Sequence, residues 1–219
     1  WYAEAMTILG KKTAIIGTLG NGFLHDLTYT ANTTPDAILL QEILAGCLQE
    51  GAQNLSIEAS SHGLVQGRLN GCEFAVAVLT NLSRDHLDYH KNMDEYAAAK
   101  AKLFFWPELK YAVLNLDDIF GVELVQQIRK KDLQIIGYGF NQSTALPPGQ
   151  SNLSLLSGSN LQASIHGLEF DIEFGCEKAH IKTTLLNRFN ANNLLAVIAS
   201  LIASGVSLQD AVLAVSHVK

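Results

Sequence analysis

The sequence predicts an α/β protein: a mostly parallel sheet flanked by helices, carrying a small antiparallel β insert. Three observations predict it. From Thr13 to Tyr138, short β-rich runs alternate with segments of helical period, the pattern of parallel strands joined by crossover helices. The first four candidate strands are largely apolar, as strands covered on both faces are. After Tyr138 the texture changes: residues 141–160 are rich in Gly, Ser, Pro and Asn, and the alternating segments LQASIHG, EFDIEFG and HIKTTL follow.

In chain order, WYAEAMTILG has the spacing of a helix already in progress, with Glu4 and no basic leader, so it does not read as a signal peptide. The strands are expected at Thr13 to Ile16, Leu55 to Glu58, Phe74 to Thr80, Tyr111 to Asn115 and Gln134 to Tyr138. Thr34 is a natural N-cap ahead of Pro35, and DAILLQEILAGCLQEG then runs helically to Gly51 as its stop. A second helix is expected from about Met93 to Phe105, opening on Asp94 and Glu95 and ending before Pro107. The insert occupies about residues 141–185. Helical period returns in NANNLLAVIASLIASG, and Ser207 caps a last helix that reaches Lys219 without a stop signal. Both ends therefore predict further structure beyond them.

A chain of 219 residues with 48% hydrophobic content buries a substantial core. The formal charge of −6, from 21 acidic and 15 basic residues, lacks the basic footprint that nucleic acid or an anionic membrane requires, so a small-molecule partner is expected. Cys47, Cys72 and Cys176 are odd in number and widely spaced, which predicts reduced core thiols in the cytoplasm rather than a disulfide framework. No apolar run approaches the roughly 20 residues of a membrane-crossing helix.

Ligands of open parallel sheets collect at the carboxyl ends of the strands, and three such places are polar here. LSIE ends in Glu58 and runs into Ala-Ser-Ser-His, with His62; the carboxylate is a ligand for a cation or an ordinary solvated loop residue. FAVAVLT is followed by NLSRDHLDYH, with Arg84, Asp85, His86, Asp88 and His90. The spacing of His86 and His90 suits two metal ligands on one turn, and equally two polar loop residues. Should their strands be neighbours, Glu58 and His86 would share a divalent cation whose shell phosphate oxygens and water complete. Asn32, Thr33 and Thr34 precede a helix N-terminus, which suits an anionic or sugar ligand or is no more than a cap. Lys100 and Lys102 interrupt a small, apolar helical stretch, and periodicity does not separate either from a solvent-reaching lysine. No GxxxxGK[ST] phosphate loop occurs, and GTLGNG lacks that loop's lysine and hydroxyl.

Three stretches together, YTANTTPDA, EASSHGLVQGRLNG with TNLSRDHLDYH, and NRFNANNLLA, resemble the Mur ligase family in order and spacing over nearly the whole chain. SSHGL, QGR and RDHLDYH look like its tripeptide-synthetase branch. The resemblance implies that residues 1–219 form the central, ATPase-type domain, without its N-terminal phosphate loop and without the outer UDP-binding and amino-acid-binding domains. It implies a peptidoglycan-synthesis ligase that uses ATP and magnesium to join a diamino acid, meso-diaminopimelate or lysine, to UDP-N-acetylmuramoyl-L-alanyl-D-glutamate through an acyl phosphate. On this resemblance Glu58 and His86 are magnesium ligands, and Lys100 carries a carbamate that adds an oxygen ligand; the three form the catalytic set. Asn32, Thr33, Thr34, Ser60, Gln66 and Arg68 hold the UDP-muramoyl dipeptide, and Asn190 and Asn193 meet the adenine side of ATP. Arg68 also suits an anionic substrate on physical grounds. Where the family usually has a glycine before RFN, this chain has Asn187. Lacking the phosphate loop, the chain alone is expected to be inactive. Three rivals stand beside this reading: an amide ligase of folylpolyglutamate-synthase type, a metal-dependent hydrolase built on Glu58, His86 and His90, and a non-catalytic binding module.

Overall fold

The structure, a computed structural model, describes residues 1–85, 88–128, 132–141 and 151–218. These fall into two compact units, one of residues 2–72 and 84–103, the other of residues 73–83 and from 104 onward, with Trp1.

In the first unit, helix α1 (Tyr2–Ile8) packs on strand β1 (Thr13–Gly17), burying Ala3, Ala5 and Met6. A four-stranded sheet runs in the order β3-β2-β1-β4, with β2 at Gly20–Phe23, β3 at Asp26–Thr28 and β4 at Asn54–Ile57. β1 pairs parallel to β4, Thr13 opposite Asn54 through Ile16 opposite Ile57, and antiparallel to β2. This places the carboxyl ends of β1 and β4 side by side. Helix α2 (Ala37–Gln49) is capped by Asp36, whose carboxylate accepts from the amides of Ile38 and Leu39. Thr34, the expected cap, is drawn instead to the end of β4. A carboxylate directly before the first turn satisfies two orphan amides at once, a contribution of about 1 kcal/mol. The short helix α3 (Ser61–Val65) follows β4, and α4 (Met93–Ala101), capped by Asn92, continues into a 3-10 turn over Lys102–Phe105.

The second unit is built on a six-stranded sheet in the order β10-β9-β8-β7-β6-β5. β5 (Val76–Leu79), β6 (Tyr111–Asn115) and β7 (Gln134–Gly139) are parallel, as is β8 (Leu153–Ser164) to β7. β9 (Gly167–Phe174) and β10 (Glu177–Thr183) add to β8 as an antiparallel meander. Helix α5 (Ile119–Gln127) packs on β6, while α6 (Phe189–Ala203) lies across β5 to β8. Helix α7 (Leu208–Ser216) covers β10 and leans on α6, capped by Ser207 as expected. Leu114, Leu156, Phe170, Leu194, Leu195 and Leu201 are fully buried; burial of each such side chain stabilises by roughly 1.5–3 kcal/mol.

The five expected strands are present and lie in parallel ladders, and the expected insert is the β8–β10 meander. They are divided between two mixed sheets, β4 ending one strand order and β5 the other. Alternating strands and helices specify parallel pairing without specifying which strands are neighbours. β8 begins within the Gly- and Ser-rich stretch of residues 141–160, and bends at Asn160, where φ is 54° and the register to β9 shifts. Cys47 is buried, but Cys176 is exposed in the turn between β9 and β10, so the expectation of three core thiols fails there. Among the described residues no helix is long and apolar enough to cross a membrane.

Candidate functional site

The carboxyl ends of β1 and β4 carry the polar cluster of the first unit. Glu58 is the residue after β4, and its amide donates to the Ile16 carbonyl at 2.9 Å, extending the ladder by one bond. Its exposed carboxylate is aimed by Thr18 after β1: Oε2 accepts from the Thr18 hydroxyl at 2.7 Å and from the Thr18 amide at 3.3 Å. Gly17 makes room for this, since a Cβ there would lie 2.6 Å from Glu58 Oε1. Thr18 Oγ1 is also 3.2 Å from Thr33 Oγ1, which brings the TANTTPD loop to the same place. Thr18 was not singled out by sequence; its only signal is its position at the end of the strand parallel to the one that delivers Glu58.

Thr34 is fully buried and knits the loop to β4. Its hydroxyl donates to the Glu58 carbonyl at 2.7 Å and accepts from the Ser60 amide at 2.9 Å. Ser60 caps α3 by accepting from the Gly63 amide at 3.0 Å. Gly63 is required there, because a Cβ would meet Thr34 Cγ2 at 2.8 Å. Arg68 donates from Nη1 to the Thr34 carbonyl at 2.7 Å and from Nε to Gln66 Oε1 at 2.9 Å, retaining other guanidinium donors for an anion. Thr18, Thr33, Thr34, Glu58, Ser60, Gln66 and Arg68 thus form one continuous network, although Thr34 spends its hydroxyl inside it. Asn32 is exposed, and its carbonyl accepts from the Thr30 hydroxyl.

The two lysines of α4 differ. Lys102 is exposed, whereas Lys100 is half-buried with Nζ 5.9 Å from the Tyr96 ring centroid. Burial lowers the Lys100 pKa below its ordinary value, outweighing the carboxylates of Glu58 and Asp85, which act to raise it. A larger neutral fraction makes the amine more nucleophilic. His86 lies outside the described residues. His90 does not fit the metal-ligand reading: it is 4% exposed, stacks on Tyr96 and places Nε2 2.9 Å from Ser61 Oγ.

Among the described residues no group of three or more His, Cys, Asp and Glu side chains is arranged to hold a metal ion. A single exposed, pre-aimed carboxylate with a modifiable lysine nearby fits a hard cation that takes most of its oxygens from phosphate and water. Glu58 is the described carboxylate that could hold it, with Lys100 the lysine whose charge is felt there.

In the second unit, Asn190 and Asn193 lie in the first turns of α6, with Asn193 Nδ2 donating to Asn190 Oδ1 at 3.3 Å and Asn190 Nδ2 to the Leu186 carbonyl at 2.7 Å. The Oδ1 of the intervening Asn192 is buried with no hydrogen-bond partner, an orphan acceptor beside the two expected nucleotide contacts. Asn187 adopts φ 70°, so it supplies the left-handed turn for which a glycine is usual, as asparagine does more readily than other residues with a Cβ.

Comparison with known proteins agrees with this architecture. A family model described as the Mur ligase middle domain matches residues 3–201. The UDP-N-acetylmuramoyl-L-alanyl-D-glutamate--2,6-diaminopimelate ligase of Nitrosomonas europaea is 57% identical over 219 residues, 100% of this chain and 42% of its own length. The ligase of the same name from Chromobacterium violaceum is 45% identical over 219 residues, again 100% of this chain and 42% of that protein. A solved structure of a ligase of this name superposes with a TM-score of 0.87 at 38% identity, over 100% of this chain and 43% of that one. The chain thus spans well under half the length of the relatives it matches. Matched by the family model along most of its length, it belongs to the Mur ligase family, whose middle domain it represents.

Proposed function

We propose that this chain is the middle domain of an ATP-dependent amide ligase that joins 2,6-diaminopimelate to UDP-N-acetylmuramoyl-L-alanyl-D-glutamate, a step of peptidoglycan synthesis in the bacterial cytoplasm. The observation that carries this reading is 57% identity along the entire chain to a ligase bearing that name. The strand-end network supports it. Arg68, Gln66, Ser60, Thr33 and Asn32 line one polar run suited to a sugar and anionic peptide, with Thr34 setting their positions.

In the proposed reaction the substrate's terminal carboxylate takes the γ-phosphoryl group of ATP, and the diamino acid's amine attacks the acyl carbon, expelling phosphate. When bound, magnesium supplies neutralisation of the charge that develops on the phosphoryl oxygens. Glu58, His86 and carbamylated Lys100 are assigned to hold it, and Asn190 and Asn193 to the adenine side of ATP. The carbamate forms as the neutral Lys100 amine bonds to the carbon of carbon dioxide. One C=O electron pair moves to oxygen and one proton is released to water. The hydrolase rival loses His90, which faces the protein interior.

Phosphate release by the full-length protein is the test, with ATP, UDP-N-acetylmuramoyl-L-alanyl-D-glutamate and either meso-diaminopimelate or lysine. Turnover with diaminopimelate is expected. Turnover with lysine alone would change the product, and none with either amino acid from a folded, ATP-binding protein would return the assignment to other amide ligases. The 219-residue chain by itself, which contains no GxxxxGK[ST] sequence, is expected to give no turnover.

A further inference from the structure

Between α3 and α4 of the first unit lies a buried polar contact to which neither the family resemblance nor the proposed reaction assigns a role. His90 and Ser61 are 4% and 1% exposed, and their Nε2 and Oγ atoms are 2.9 Å apart. The His90 ring also stacks on Tyr96, centroids 5.3 Å apart and planes 30° from parallel, and meets the rings of Tyr89 at 5.0 Å and His62 at 5.8 Å. Tyr96, itself 6% exposed, lies one helical turn before Lys100 and carries the Lys100 ammonium over its ring. On the other side Ser61 follows Ser60, whose amide is bonded to Thr34, and Thr34 is bonded to the Glu58 carbonyl. Every link from Glu58 to Lys100 is therefore a hydrogen bond, a ring contact or the covalent chain.

We propose that His90 is a positioning residue that holds α4, and with it the Lys100 side chain, in register with the Glu58 strand end through its bond to Ser61 and its stack on Tyr96. The physical ground is directionality. Apolar contacts let a helix slide by a fraction of an ångström at little cost, whereas a buried imidazole–hydroxyl bond has one good geometry and a penalty for losing it. Two oxygen donors serving one cation need that kind of definition. The neighbouring Tyr89 faces the substrate-side segment: its ring packs 4.0 Å from that of His62, and its hydroxyl accepts from Gln66 Nε2 at 3.4 Å. The Tyr89–His90 pair thus brackets both halves of the strand-end network.

This inference rests on the ligase reading and on the Lys100 carbamate. It is tested in the full-length protein with Ser61→Ala, His90→Phe and His90→Gln, the last keeping an N–H donor near the position of Nε2. We expect Ser61→Ala and His90→Phe to lower kcat on the order of tenfold, with KM for ATP unchanged. The carbamate resonance in 13C-bicarbonate-labelled protein falls in parallel, and excess bicarbonate restores both. His90→Gln retains most activity, and the double variant Ser61→Ala/His90→Phe is no worse than His90→Phe alone. A wild-type carbamate signal and kcat in the single variants would overturn the role. So would losses that follow the thermal midpoint and ignore bicarbonate. If His90→Phe fails to fold, the milder Ser61→Ala decides. A wild type that shows no ligation would sink the ligase reading alone, since the carbamate signal is read without turnover.

Discussion

The polar residues after β4 and those after β6 occupy comparable places, the carboxyl end of a parallel strand, and use their hydrogen bonds differently. After β6, Asp117 spends both carboxylate oxygens on the amides of Phe140 and Asn141. Asp118 accepts from the amides of Leu82 and Phe120. Asn115 donates to the Thr80 carbonyl, and the buried Tyr138 hydroxyl donates to that of Leu79, with its pKa raised by burial first and then by Asp118 and Asp117. These groups tie β5, β6 and β7 together through their backbones. After β4, Glu58 offers an exposed carboxylate aimed by Thr18, Arg68 keeps donors in hand, and the half-buried Lys100 has a lowered pKa. Strand-end polarity alone does not mark a site; what marks it is hydrogen-bonding capacity left over once the backbone has been served.

The largest effect that follows is Lys100→Ala in the full-length protein. Ligation is expected to fall by 10² to 10³-fold, on the order of losing one pre-aimed electrostatic contact, with little change in thermal midpoint. Retained activity would break the distinction at its strongest point. The mirror image lies after β6, where Asp117→Ala strands two amides and is expected to cost about 2 kcal/mol of stability, read as a lower urea midpoint. Thr18→Val comes next. It removes the hydroxyl that aims Glu58, so ligation should drop about tenfold while stability stays within about 0.5 kcal/mol. A stability loss as large as that of Asp117→Ala would move Thr18 into the structural class.

Much of this was legible in the sequence, for identifiable reasons. Helices α2 and α6 follow from their periodic faces, α4 from its acidic first turn and the Pro107 beyond it, and the cap at Ser207 from local spacing. β2 and β3 were not legible: GNGF and DLT are short and without apolar alternation, and Gly20 and Gly22 have φ of 134° and 127°, so the segment reads as a turn. α3 has too few residues to show a period, and α5 is short and carries Gly121 in its first turn. Thr34 and Asp36 are both good caps, and the choice between them was made by Glu58 and Ser60, more than twenty residues away. Glu58 and Lys100 were singled out through strand position and resemblance, whereas Thr18 and the burial of His90 required the contacts themselves. Nothing local distinguishes a histidine that faces Ser61, 29 residues earlier, from one that faces a ligand.

The smallest expected effect concerns polar groups that serve neither backbone nor ligand. On the outer face of the meander, the His180 ring lies between two carboxylates, Nδ1 2.7 Å from Asp171 Oδ1 and Nε2 3.1 Å from Glu169 Oε1, and Asn160 donates to Asp171 Oδ2. The bond to Asp171 raises the His180 pKa above its ordinary 6.5, while the bonds from Asn160 and then His180 lower that of Asp171 below 3.8. A raised histidine stabilises fully below its ordinary pKa and loses that contribution as pH climbs through the folded value; a lowered carboxylate stabilises above its ordinary pKa and loses it as pH falls through the folded one. The pair therefore contributes most between about pH 4 and pH 6.5, and fades on the alkaline side. Side chains 52% and 46% exposed are screened by water and salt, so the contribution is small. The thermal midpoint of His180→Gln should fall below wild type at pH 5.5 in low salt and converge on it at pH 8.5 or in 0.5 M salt. A gap that persists at pH 8.5 would show that His180 holds β9 to β10 by packing, and would place this face with the strand ends after β6.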